Sequence, residues 1–224
     1  MMCKPIVRRD GAWLFPSAHW SDAPSACVYE SKDAGKTFAF LGGVTLPQRV
    51  RVFDEHALAE LGNGDILTFI RTARGTNSME SVSHDGGRTW EVPRKARFEH
   101  TCSRFFLRRL RSGNLLFVKH GKIDEDCGRR KLTAYLSDDD GVTWKGGLLL
   151  DERDHVSYPD GDQAADGMIY VVYDHDRTGA QEILLASFTE DDVLAGKIRS
   201  KGSFLRSVVV SARIAREKSG RVAK

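Results

Sequence analysis

The chain is poor in cysteine, has no long apolar run and carries no strong charge of one sign. Only four of its 224 residues are cysteines: Cys3, Cys27, Cys102 and Cys127. They are scattered and form no C-x-x-C pair, which excludes a zinc ribbon and gives no disulfide framework. The expectation is free thiols, no metal and no cofactor. No stretch approaches the ~20 apolar residues that cross a bilayer, and no apolar segment of the signal-peptide kind follows the first Met. No membrane partner is therefore expected. The cysteine usage is compatible with a cytoplasmic setting, and localisation is otherwise open. Charge is nearly balanced, with 34 Lys and Arg against 31 Asp and Glu, a net +3. The one basic concentration is Lys197–Lys224. Such a tail can bind nucleic acid but is more often simply solvated, and no nucleic-acid partner is expected. Helical periodicity is missing too, apart from a short turn at Glu190–Gly196.

What is present is repetition. The pattern S-x-D-x-G-x-T-[W/F] occurs at Ser31–Phe38, Ser83–Trp90 and Ser137–Trp144, with starts 52 and 54 residues apart. The Asp can accept hydrogen bonds from backbone N–H groups further along the turn. The Gly supplies a positive φ, and the aromatic is expected to pack beneath the hairpin. These are the features of a structural turn. A calcium loop is rejected, because the spaced carboxylates and the terminal Glu are missing.

A second phrase keeps the same period. Asp10-Gly11, Asn63-Gly64, Ser112-Gly113 and Asp166-Gly167 each enter an apolar run, with glycines 53, 49 and 54 residues apart. Such pairs before β-rich runs signal hairpins. After the fourth, Ser187–Asp192 stands where another copy of the first phrase would fall, degenerate and without Gly. About four units result, each long enough for a four-stranded sheet. Repeats of ~40–50 residues built from short strands imply an all-β propeller. Residues 1–198 are expected to form it. Residues 199–224 are a basic tail, or carry one closing strand at Arg206–Ile214.

The first phrase resembles the Asp-box, or BNR repeat, of the sialidase (neuraminidase) superfamily, over roughly residues 5–197. The resemblance extends to Phe53-Asp-Glu55-His56 with Arg71, to Gly128-Arg129-Arg130-Lys-Leu132, to Ser157-Tyr158-Pro159-Asp160-Gly161 and to the last-blade segment Tyr173-Asp-His-Asp-Arg177. It implies a propeller of the six-bladed sialidase type and a sialoside or other acidic-sugar glycan as partner. It also implies Tyr158 as nucleophile, Glu55 as its base, and Arg71 and Arg129 as holders of the substrate carboxylate. Arg104 is a further pocket candidate. Arg129 competes with Arg130, because a one-residue slip turns a strand side chain to the other face. His56 and His120 are expected to be structural, and Asp160 to cap its own turn.

The chemistry suits these residue types. Arginine forks bind a carboxylate bidentately. Sialidases are an exception among glycosidases in using tyrosine as the nucleophile. A phenol of pKa near 10 needs an adjacent base to attack at neutral pH.

The resemblance stops short in two respects. About four blades are found, and the family's N-terminal arginine and general-acid Asp have no counterpart. The expectation is an incomplete propeller, completed by a missing N-terminal segment or by a homodimer. The alternatives are a non-catalytic carbohydrate-binding propeller, a structural or protein-binding propeller, and a hydrolase of another acidic sugar such as a uronate.

Overall fold

Each hairpin pair closes the first turn of a four-stranded antiparallel meander. The computed structural model describes residues 4–21 and 23–212. The first sheet runs β1 (Ile6–Val7), β2 (Trp13–Ala18), β3 (Ala26–Ser31), β4 (Ala39–Val44). The second runs β5 (His56–Glu60), β6 (Ile66–Ile70), β7 (Met79–Ser83), β8 (Arg94–Lys95). The third is β9 (Phe106–Arg109), β10 (Leu115–His120), β11 (Arg130–Ser137), β12 (Lys145–Asp154). The fourth is β13 (Val156–Gln163), β14 (Ile169–His175), β15 (Glu182–Phe188), β16 (Phe204–Ser211). Strand order equals chain order in every sheet. The described residues thus form four blades of a β-propeller. β16 falls inside the compositionally basic segment and is the fourth strand of the fourth blade, paired with β15. Residues 213–224 and Cys3 lie outside the described residues.

The repeated phrase makes the turn between the third and fourth strands of blades one to three. In the first copy, Asp33 Oδ1 accepts from the N–H groups of Lys36 (3.0 Å) and Thr37 (2.9 Å), and from Ser31 Oγ (2.8 Å). Its Oδ2 accepts from Thr37 Oγ1 at 2.6 Å, while Gly35 N donates to Ser31 Oγ at 2.9 Å. The same bonds recur around Asp85, and around Asp139 except that Val142 N donates to the Asp139 carbonyl at 3.3 Å instead of to its side chain. One carboxylate therefore satisfies most of the polar groups of a turn that would otherwise compete for water. In the fourth blade a six-residue helix, α1 (Glu190–Ala195), takes this place. Thr189 caps its start, and Asp192 gathers the N–H groups of Thr189, Arg199 and Ser200 and the hydroxyl of Ser203. An Asp still organises the turn there, on a different backbone.

Apolar cores lie between successive blades. Leu14 and Val28 meet Leu58 and Ile66 between the first and second. Phe69, Phe98, Phe105 and Phe117 form an aromatic cluster between the second and third. Leu132, Leu136, Val171, Tyr173 and Phe188 fill the space between the third and fourth. The terminal blades also carry exposed apolar side chains: Val7, Phe38 and Phe40 on the first, and Val172, Ile183, Val208 and Val210 on the fourth.

Blade contact requires glycine at Gly42 in β4, where a Cβ would fall onto the backbone oxygens of Arg88 and Gly87 in the second blade's turn. Backbone cannot yield there as a flexible side chain would. Gly42→Ala should destabilise the protein by about 1–3 kcal/mol, read as a lower midpoint in denaturant unfolding followed by far-UV circular dichroism.

The fold also predicts acid sensitivity in two stages. Buried His56 and His120 are pushed down to about 4 from 6.5, chiefly by desolvation. The unfolded chain takes up those protons first, so stability falls as pH drops from about 6.5 toward 4. Hydrogen bonds from the turn hold Asp33 at about 2, below the ordinary 3.8. Its contribution is present above 3.8 and lost as pH falls toward 2. Thermal midpoints across this range should decline in both windows, and Asp33→Asn should lessen the decline only in the lower one, where Asp139 still contributes.

Candidate active site

An up-and-down blade has two rims. The turns joining strands one to two and three to four lie on one rim. The entries to first strands and the loops joining strands two to three lie on the other. The repeated phrases occupy the first rim and so stand away from the residues gathered on the second. Glu55 immediately precedes β5 and Arg71 immediately follows β6. Cys102 and Arg104 lie before β9, Arg129 immediately precedes β11, Tyr158 lies early in β13, and Arg177 follows β14. Residues from three blades thus converge on one rim.

Arg71 is the hub. Its side chain is 3% exposed, as is that of Glu55, and its Nη1 donates to Glu55 Oε2 at 2.5 Å. The same nitrogen donates to the Tyr158 hydroxyl at 3.3 Å. Its Nη2 donates to the Cys102 carbonyl at 3.2 Å, and its Cζ lies 4.4 Å from the centroid of Phe53. Arg129 Nη2 donates to the same Cys102 carbonyl at 3.3 Å. Arg130 is exposed and turns away, donating to the Cys127 carbonyl at 3.0 Å. Arg104 pairs with Asp160 at 3.6 Å, while Asp160 also accepts from Gly161 N at 2.8 Å.

Tyr158 stands among these cations. Arg129 and Arg104 place their Cζ atoms 5.5 and 5.7 Å from its ring centroid, and Arg177 does so at 4.2 Å. Its φ is +54°, a value that bulky residues adopt only at a cost of about 1–3 kcal/mol. It sits in the irregularity of the β13–β14 pairing between Ser157 and Asp160. Backbone strain of this kind aims a side chain where regular pleating would not.

Electrostatics follow from the packing. Burial pushes the Tyr158 phenol up, but the Arg71 hydrogen bond and the charges of Arg71 and Arg129 outweigh it and bring the pKa below 10. Burial opposes the Arg71 charge, yet the bonds to Glu55, Cys102 and Tyr158 raise its pKa above the ordinary value. His100 and His120 stack at 5.3 Å, and burial holds both as neutral rings. His120 Nε2 lies 2.9 Å from the Val156 carbonyl, and His56 is wedged between the carbonyls of Asp54 and Cys27. Around Tyr158 the guanidiniums of Arg71, Arg104, Arg129 and Arg177 meet the carboxylates of Glu55, Asp160 and Asp174. Positive charge is in excess, which favours an anionic ligand. Among the described residues no cluster of three His, Cys, Asp or Glu side chains could hold a metal.

A model of the BNR repeat-like domain matches residues 1–171. The chain belongs to this family. It is similar to a sialidase of Bacteroides fragilis (strain YCH46), 28% identical over 163 residues that cover 68% of this chain and 29% of the relative. Its fold is like that of the intramolecular trans-sialidase of Ruminococcus gnavus solved with oseltamivir carboxylate. There the TM-score is 0.66 at 20% identity, covering 88% of this chain and 44% of the other. An α-L-arabinofuranosidase of Fusarium graminearum matches with a TM-score of 0.62 at 16% identity, covering 93% and 66%. The two structural likenesses are likenesses of fold. They show that this BNR propeller shares its fold with those two enzymes, and the chain spans less than two thirds of each of these proteins.

Sequence reasoning brought Arg71, Glu55, Arg129, Arg104 and Tyr158 forward, and the BNR propeller places all five on one rim. Phe53, Cys102 and Asp174 had no site role in that reading. It quoted Arg177 only within the last blade. A signal existed for the last pair: Asp174 and Arg177 are three apart at a strand end, and their side chains meet at 2.6 Å.

Spectrophotometric titration of the tyrosines checks the electrostatics. The component lost in Tyr158→Phe should ionise below pH 10, and Arg129→Met should move it upward.

Proposed function

We propose that this chain is the tyrosine-bearing part of a sialidase-type exo-glycosidase that hydrolyses a terminal sialic acid or a related acidic sugar. One observation carries the reading: the phenol of Tyr158 lies within hydrogen-bond reach of an arginine that is itself paired to a buried Glu55, inside a surplus of guanidiniums. A carboxylate nucleophile placed beside the carboxylate of such a sugar would be repelled by it. A neutral phenol is not, and arginines around it attract the substrate.

In this account the substrate carboxylate engages the arginines and draws Arg71 from Glu55. Glu55 takes the phenolic proton as Tyr158 Oη bonds to the anomeric carbon. The glycosidic C–O bond breaks, its electron pair leaving on the aglycone oxygen. Water then attacks the same carbon as the Tyr158–sugar bond breaks; Glu55 returns its proton to the phenolate, and the proton lost by the water neutralises the aglycone oxygen through solvent. The chemistry is that of side chains alone and calls for no cofactor. The match to larger relatives and the exposed Phe40 and Val208 of the terminal blades support further chain, or a second copy, as the completing partner.

Hydrolysis of an aryl sialoside by the folded chain, beside Tyr158→Phe, tests the reading. An aryl oxygen departs without much protonation, so a general acid supplied from elsewhere is not needed for detection. The expected result is turnover in the parent and a loss of at least about a thousandfold in the variant. Equal turnover in both would rule Tyr158 out as nucleophile.

A further inference from the structure

Four arginines surround Tyr158, but they do not present themselves to a ligand equally. Arg71 is 3% exposed, and its guanidinium is committed to Glu55, Cys102 and Tyr158. Arg104 is 11% exposed and faces Asp160. Arg177 is 47% exposed. Its Cζ lies nearest of the three guanidiniums stacked on the Tyr158 ring, at 4.2 Å against 5.5 and 5.7 Å for Arg129 and Arg104.

Arg177 is also held in place. Its Nε pairs with Asp174 at 2.6 Å and its Nη2 donates to Ser157 Oγ at 2.8 Å. Ser157 in turn donates to Asp174 Oδ1 at 2.6 Å, so acid, hydroxyl and guanidinium form one closed ring of bonds. A guanidinium has five N–H donors. The ring of bonds uses two, leaving both hydrogens of Nη1 and the second of Nη2 for a ligand, on a side chain that is half exposed and stacked on Tyr158. Tyr158, Asp174 and Arg177 also border a cavity of about 330 Å³ on the outer face of the fourth blade, where Val172 and Ile183 are exposed and the completing partner would pack, so the ligand edge is the guanidinium itself.

Resting on the functional reading above, we infer that Arg177 is the arginine that first takes the carboxylate of the acidic sugar. Its two remaining Nη edges receive the carboxylate oxygens, Asp174 and Ser157 fix the fork, and the Tyr158 ring is the platform under it. The carboxylate is thereby tethered beside the phenol oxygen before Arg71 is drawn from Glu55. A planar fork is required, because an ammonium offers a single point of charge and cannot lie flat on the ring.

The test is binding rather than turnover. Isothermal titration with N-acetylneuraminic acid, glucuronic acid and the methyl ester of each would be run on the parent, Arg177→Gln, Arg177→Lys and Asp174→Asn, with circular dichroism verifying the fold. The parent should bind at least one acid more tightly than its ester. Arg177→Gln should weaken that acid by about tenfold or more and leave its ester unchanged. Arg177→Lys should recover only part of the loss, and Asp174→Asn should fall between. Equal weakening of acid and ester, no change in either, or no binding of either acid to the parent would overturn the inference. An acid-selective loss in a chain without turnover of the aryl sialoside would uphold Arg177 as the carboxylate contact and count against the hydrolytic reading alone.

Discussion

Everything at the candidate site turns on the ion pair between Arg71 and Glu55. Both side chains are almost wholly buried, and removing one partner of such a pair costs about 3–5 kcal/mol, because the other is left charged without water. From this single guanidinium, bonds run to Glu55 in its own blade, to Cys102 at the entrance of the third and to Tyr158 in the fourth. The pair is thus a structural tie between blades and, at the same nitrogen, a modifier of the tyrosine. Arg71 therefore makes a poor diagnostic position, since its loss would disturb fold and chemistry together. The Tyr158 hydroxyl can be removed at the expense of one long hydrogen bond.

The rest of the molecule serves to deliver those side chains to one place. Antiparallel meanders put the regular turns on one rim and the irregular loops on the other. The regular rim is held by carboxylates that satisfy their own turns, so its acidic residues are spoken for. The other rim combines strand entries and connections between second and third strands, which are free to vary in length and conformation. Left-handed backbone occurs on this rim at Tyr158, the proposed nucleophile, and at Asp54, next to the proposed base Glu55. Scaffold rigidity and local strain are complementary here: without the interblade cores, neither residue could be held in a sparsely populated conformation.

The fold was legible because its signals are local and repeated. Asp33, Asp85 and Asp139 each build the same turn from residues within five positions, and the Asp-Gly and Asn-Gly pairs mark hairpins by backbone preference alone. The fourth blade was harder to read, since Asp192 does the same work through a capped helix that shares no pattern with the other three. β16 has Arg206 as its only charged residue, and the basic segment around it left a closing strand and a solvated tail both open, until backbone pairing with β15 decided for the strand. At the site, Arg129 and Arg130 could not be told apart by sequence, because only the turn at Gly128 decides which of them faces Cys102. Arg177 was hidden for a different reason. Its role depends on the Tyr158 ring, and that contact follows from the bulge between Ser157 and Asp160, a three-dimensional feature that the sequence does not announce.

The central claim is that Tyr158 bonds covalently to the anomeric carbon, and it is tested most directly by trapping that bond. Incubation with a fluorinated sialosyl fluoride, whose ring fluorine slows the second step, should leave a sugar adduct. Digestion and tandem mass spectrometry would then map it. The account predicts that the label lies on the peptide containing Tyr158, at the tyrosine itself, and that Tyr158→Phe takes up none. A label on Glu55, or equal labelling of the Phe variant, would contradict it.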